Sequence, residues 1–111
     1  ELDALAMAEA ARELCGRHDF SAFGRPPVGT NAVRTVYRAT WQGQGEMLYF
    51  DIMGDAFLRH MVRIIVGTLL LVGMGRLTAP DVRAILLAGD LNHPQAAAPA
   101  CGLCLMRVNY R

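Results

Sequence analysis

The sequence contains no lysine; all eleven of its basic residues are arginine. GC-rich coding produces such a bias as readily as function does, so it carries no functional inference alone. Cysteine is scarce, and three is an odd number, which agrees with a reducing compartment and argues against a disulfide framework. Long apolar runs are missing as well. The charge-free run Ile64 to Gly75 falls far short of the roughly 20 residues that span a bilayer. The opening ELDALAMAEAARELCG lacks the basic segment and unbroken apolar stretch of a signal peptide, so a cytoplasmic protein with no membrane contact is the expectation. Acid is absent from Phe20 to Gly45, where Arg25, Arg34 and Arg38 stand, while five of the ten acids fall in residues 1–19. A local basic segment of this kind can follow a phosphate backbone, and a solvated loop and strand face explains it about as well. The net charge of +1 gives no general argument for nucleic acid.

What is present is enough apolar residue for one core. At 111 residues and 53% hydrophobic the chain is a single domain's worth, and disorder is excluded as the default. A helix is predicted from Asp3 towards a stop at Gly16, followed by a loop, GRHDFSAFGRPPVGTN, whose two phenylalanines must be pinned against something. Thr35 to Gln42 and Met47 to Gly54 are strand-like and joined by Gly43-Gln44-Gly45, with Leu48, Phe50 and Ile52 on one face. A long helix is predicted from Phe57 to Met74. A third helix starts at Thr78-Ala-Pro-Asp and ends near Gly89, and a last strand covers Leu103 to Tyr110. The order predicts an α+β fold, an antiparallel sheet with helices packed on one face.

The most informative stretch is FLRHMVRIIVG, residues 57–67. On a helix, Arg59, His60 and Arg63 share one side of the first turns, while Phe57, Met61, Ile64, Ile65, Thr68, Leu69 and Val72 make an apolar stripe. Gly67 lies one turn beyond Arg63, and a mid-helix glycine is unfavourable by about 1 kcal/mol relative to alanine, which points to a close approach. Arg63 is therefore either a guanidinium aimed at a carboxylate or phosphate, or half of a salt bridge that docks the helix.

One Cys–His pair and one Cys–Cys pair raise a metal reading. Cys15 with His18 and Cys101 with Cys104 have acceptable zinc spacing within each half. Against it, a strand over 103–110 turns positions 101 and 104 to opposite sides unless Gly102 bends the chain. The expectation is no metal.

The segments GRHDFSAF (16–23), FLRHMVRIIVGTLLLVGMG (57–75) and APACGLCLMRVNY (98–110) resemble, in order and spacing, the C-terminal domain of the tRNA pseudouridine synthase A family, over essentially the whole chain. The resemblance implies the C-terminal half of the pseudouridine synthase fold. It also implies conversion of uridine to pseudouridine in the anticodon arm of tRNA, no cofactor, and a homodimer in the full-length protein. The family's catalytic aspartate stands in an N-terminal domain, in a stretch close to Arg-Thr-Asp-x-Gly-Val-His. None of Asp3, Asp19, Asp51, Asp55, Asp81 or Asp90 has that context, so residues 1–111 are expected to be a fragment, inactive alone, whose catalytic N-terminal domain is missing.

The resemblance makes Arg63 the partner of the nucleophilic aspartate and puts Gly102, Leu103 and Leu105 near the uracil pocket, with core packing as the competing reading for these three. Arg59 and His60 become substrate-side candidates, and Arg34 and Arg38 candidates for tRNA phosphates. His18, Asp19 and Phe20 resemble a structural loop. Tyr37 and Trp41, read on one strand face, either stack on bases or fill the core. The alternative function is a non-catalytic RNA-binding or dimerisation module.

Overall fold

The computed structural model describes residues 2–44, 47–95 and 104–110, with Gln44, Met47 and 104–110 described by backbone alone. Along the chain come α1 (Ala4–Arg12), β1 (Gly16–Asp19), β2 (Val33–Gln44), β3 (Met47–Gly54), α2 (Met61–Gly73), α3 (Ala79–Ala88) and β4 (Cys104–Tyr110). The strands form one sheet in the order β1-β2-β3-β4. The fold is α+β, as the sequence pattern indicates.

Three of the four strands are antiparallel neighbours, but β4 runs parallel to β3, pairing Leu48 with Cys104 through Gly54 with Tyr110. The expectation of an antiparallel last strand is corrected here. A tight turn can join only antiparallel neighbours, whereas the link from β3 to β4 carries two helices, long enough to return the chain to the start of β3. Residues 16–19, expected as loop, form the edge strand β1, with Gly16 opposite Val36 and Asp19 opposite Val33. The loop reading does hold just beyond it. Asp19 Oδ1 accepts from Ser21 N at 3.0 Å and also from the Ser21 hydroxyl. Phe20 and Phe23 are fully buried.

The helices lie on one face of the sheet. Asp3 caps α1, its Oδ1 accepting from Ala6 N at 3.0 Å, and Met7, Ala10, Ala11 and Leu14 turn inward at helical spacing. Val36 and Ala39 of β2 and Phe50 and Ile52 of β3 close one continuous core with Ile65 and Leu69 of α2. Thr68 is the polar side chain fully buried there, and its Oγ1 donates to Ile64 O at 2.8 Å, so no polar atom of it is stranded. α3 opens with a reciprocal cap: Asp81 N donates to Thr78 Oγ1, and Thr78 N to Asp81 Oδ2.

The long helix starts at Met61, four residues later than its apolar stripe suggests. Arg59 N donates to Arg25 O at 3.0 Å, tying this segment to the loop after β1. His60 then takes the left-handed region, φ 63° and ψ 7°, which no α-helix can pass through. Arg59, His60 and Arg63 are consequently not side by side on one helix.

Gly24 is where the loop after β1 meets this junction. A Cβ there would stand 2.6 Å from Arg59 O and 2.8 Å from Leu58 Cβ, with no flexible side-chain end to give way. Gly24→Ala is expected to lower stability by about 1–3 kcal/mol in urea denaturation, the range for overpacking. Gly43→Ala, whose new methyl meets nothing nearer than 3.9 Å, is the control expected to change little. Equal stabilities for the two variants would remove the close approach as a constraint.

Candidate functional site

Arg63 is the third residue of α2 and is exposed, between the half-buried Val62 and Ile64 that hold the helix start against the core. Its side chain makes no hydrogen bond or ion pair with any described residue. The reading of Arg63 as a helix-docking salt bridge thus has no partner among the described residues; the ion pair joining helices is Arg83–Glu13, 3.3 Å, between α3 and the end of α1. Gly67, one turn on, is buried, so the charged side of α2 is confined to its first turn.

Arg59 and His60 are exposed in the junction ahead of α2. The backbone bridge sets Arg59 directly opposite Arg25, also exposed. This joins in space two stretches that lack acid, Phe20–Gly45 and Ala56–Pro80. The sequence groups Arg25 with the basic segment but assigns it to no site, because nothing in the one-dimensional pattern reveals its partner. A cleft of about 490 Å³ opens beside it, lined among others by Ser21, Gly24, Arg25, Thr30, Asp90 and Asn92. His93 closes the neighbouring segment onto the core: its Nε2 lies 2.7 Å from Ala22 O and its ring stands edge-on to Phe23 at 5.4 Å.

Arg34 and Arg38 are not equivalent. Arg34 is half-buried, and its Nη1 donates to Asn31 O at 3.0 Å and Val33 O at 2.8 Å, which holds the entry to β2. Its Nε is buried without a partner among the described residues. Arg38 is exposed and makes no such bond with a described residue. The register of β2 shifts between Val36 and Arg38, and this bulge reverses the side-chain alternation. Val36 and Ala39, three apart, both face the core, so Arg34 and Arg38 do not line one face. The same shift separates Tyr37 from Trp41, correcting their placement on a common face. Trp41 packs on Phe50, rings 4.8 Å apart, while Tyr37 remains 44% exposed. Leu105 pairs with Tyr49 in the sheet backbone; Gly102 and Leu103 lie outside the described residues.

Residues 10–111 match the family model described as tRNA pseudouridine synthase. The chain belongs to that family. It is 46% identical to a protein named tRNA pseudouridine synthase A from Moorella thermoacetica, over 98% of this chain and 45% of that protein. Relatives of the same name from Syntrophotalea carbinolica and Shouchella clausii are also 46% identical over 98% of this chain, which covers 44% and 42% of them. The chain therefore spans less than half the length of these curated relatives.

In this pseudouridine synthase domain the Cys15–His18 pair has a local use. His18 Nε2 donates to Cys15 O at 2.8 Å, and the ring stands edge-on to Phe20 at 5.6 Å. Among the described residues no three His, Cys, Asp or Glu side chains gather as metal ligands. Cys101, with the side chain of Cys104, lies outside what is described.

Burial pushes the Cys15 thiol pKa up, against smaller opposing effects of a backbone hydrogen bond at Ala39 and the Arg12 charge. The folded state then holds this proton more tightly than the unfolded chain. Its stabilising effect is complete below the unfolded pKa and is lost as pH rises through the raised folded value. Alkylation of Cys15 in the folded protein, followed by mass spectrometry across pH, should show an inflection above that of a free cysteine peptide. An inflection at or below the peptide's would contradict the burial argument.

Proposed function

We propose that this chain is the C-terminal part of an enzyme that isomerises uridine to pseudouridine in the anticodon arm of tRNA, and that it supplies the arginine partner of a nucleophilic aspartate carried elsewhere in the protein. The observation that carries this reading is Arg63: an exposed guanidinium without a partner among the described residues, on the first turn of a helix anchored in the core, in a family member whose own aspartates lack the nucleophile's context.

The chemistry asks for such a group. The aspartate bonds covalently to the nucleoside, the base detaches and rotates, and a ring carbon joins the sugar in place of the nitrogen; the carboxylate is released, and the proton lost from that carbon is balanced by one taken up at the nitrogen. A guanidinium within hydrogen-bonding distance keeps that carboxylate ionised and fixes its direction by a two-pronged bond. Arg59 and His60, close to Arg63 in the chain, act on the substrate side. Gly102, Leu103 and Leu105 border the uracil, with an apolar side chain pressed on the base. Arg38, exposed and without a partner among the described residues, is the better phosphate contact on β2, since Arg34 already serves its own backbone. No helix among the described residues is long and apolar enough to cross a membrane. A cytoplasmic homodimer, completed by its N-terminal domain and acting without a cofactor, accords with this reading.

Two measurements test it. This chain alone, incubated with unmodified tRNA, is expected to form no pseudouridine; turnover above a buffer control would show that the nucleophile lies within residues 1–111. In the intact protein, Arg63→Lys keeps the charge but loses the planar fork. Its single-turnover rate at saturating enzyme should fall by about tenfold or more, equivalent to at least ~1.4 kcal/mol of barrier. The tRNA dissociation constant should move far less. A wild-type rate once bound would remove Arg63 as the partner of the aspartate and leave it a structural or solvated charge.

A further inference from the structure

The Arg25–Arg59 bridge sets two like charges against each other. Residues directly opposite in an antiparallel pair have their side chains on one face with Cβ atoms about 5 Å apart, and like charges so placed repel. The placement is built into the backbone. Arg59 N is hydrogen-bonded to Arg25 O, and Gly24 admits the Arg59 carbonyl at a distance that any side chain would block. Both arginines are exposed, and neither side chain has a hydrogen bond or ion pair with a described residue. No acid stands within either flanking stretch to neutralise them. The acid among the described residues lining the adjacent cleft, Asp90, has its Oδ1 engaged by Asn92 N at 2.9 Å.

Two guanidiniums that the backbone sets side by side, with no neutralising partner among the described residues, are suited to an anion with several oxygens, because each fork presents two parallel N–H donors. We propose that Arg25 and Arg59 together form a seat for a single phosphodiester of the RNA backbone, placed ahead of the Arg63 turn so that the held strand leads toward that residue. His60 in the left-handed region makes the turn between the seat and the helix, and Met61 and Val62 separate it from Arg63. That RNA carries the phosphate rests on the function proposed above. The seat itself rests on the bridge geometry.

A shared seat and two separate sites differ in a measurable way. The slope of log binding constant against log salt becomes shallower by about 0.7–0.9 for each phosphate that the protein no longer neutralises. In the intact protein, tRNA binding by Arg25→Gln, Arg59→Gln and the double variant should show the same decrease in slope, equivalent to about one phosphate in each, because either substitution opens the seat. The companion Arg25→Lys/Arg59→Lys variant keeps both charges, so its slope should stay near wild type while its affinity drops through loss of the forks. An unchanged slope in the double Gln variant overturns the proposal, and so does a double variant whose decrease is twice that of each single. Pseudouridine formation by the wild type is scored on the same tRNA. The predicted slope pattern without pseudouridine would support the seat and remove the isomerase reading; pseudouridine with no change of slope would do the reverse.

Discussion

The hydrogen bond from Arg59 N to Arg25 O, with Gly24 pressed against Leu58 and Arg59 beside it, fixes how the exposed cations ahead of α2 are arranged. With Arg59 held there, His60 takes the left-handed region, which no α-helix passes through, so α2 begins at Met61. Where the helix begins decides which way Arg63 points. A start at Phe57 would put Arg59, His60 and Arg63 in one cluster; the bridge pairs Arg59 with Arg25 instead and leaves Arg63 alone on the first turn. The same contact buries Leu58 and Met61 beneath the junction, so the exposed cations sit on a packed base.

A second constraint acts on the sheet. Alternation with period two holds only while the register holds, and one extra residue in β2 between Val36 and Arg38 inverts it. Val36 and Ala39 can then both reach the core, and the half-buried Trp41 packs on Phe50 against it. Arg34 is turned to its own backbone as a result, and Arg38 to the open face. Two arginines that look alike in the sequence therefore have different surroundings, one closing the entry to a strand and one facing solvent.

Much of the fold was legible in one dimension, because it depends on local rules. Asp3 and Thr78 cap helices, Gly89 ends one in the left-handed region, and β3 runs from Met47 to Gly54 with Leu48, Phe50 and Ile52 inward. The motifs of the FLRHMVRIIVG segment and its companions pointed to the family that residues 10–111 match. The edge strand β1 was missed since four residues of mixed character, GRHD, carry no periodic signal, and only pairing with β2 makes them a strand. The direction of β4 was equally hidden, as alternation is the same whichever way a strand runs.

Residues close together in the chain set the α+β class, the apolar stripe of α2 and the capped ends of the helices. Those features follow from propensity and burial, which neighbouring residues specify among themselves. Tertiary structure alone decided that α2 starts after a left-handed His60, that Arg34 and Arg38 part company at a bulge, and that Arg25 stands opposite Arg59. Each of these is a backbone hydrogen bond or register between segments far apart in the chain, and a pairing of that kind leaves no mark on the spacing of residues in either segment.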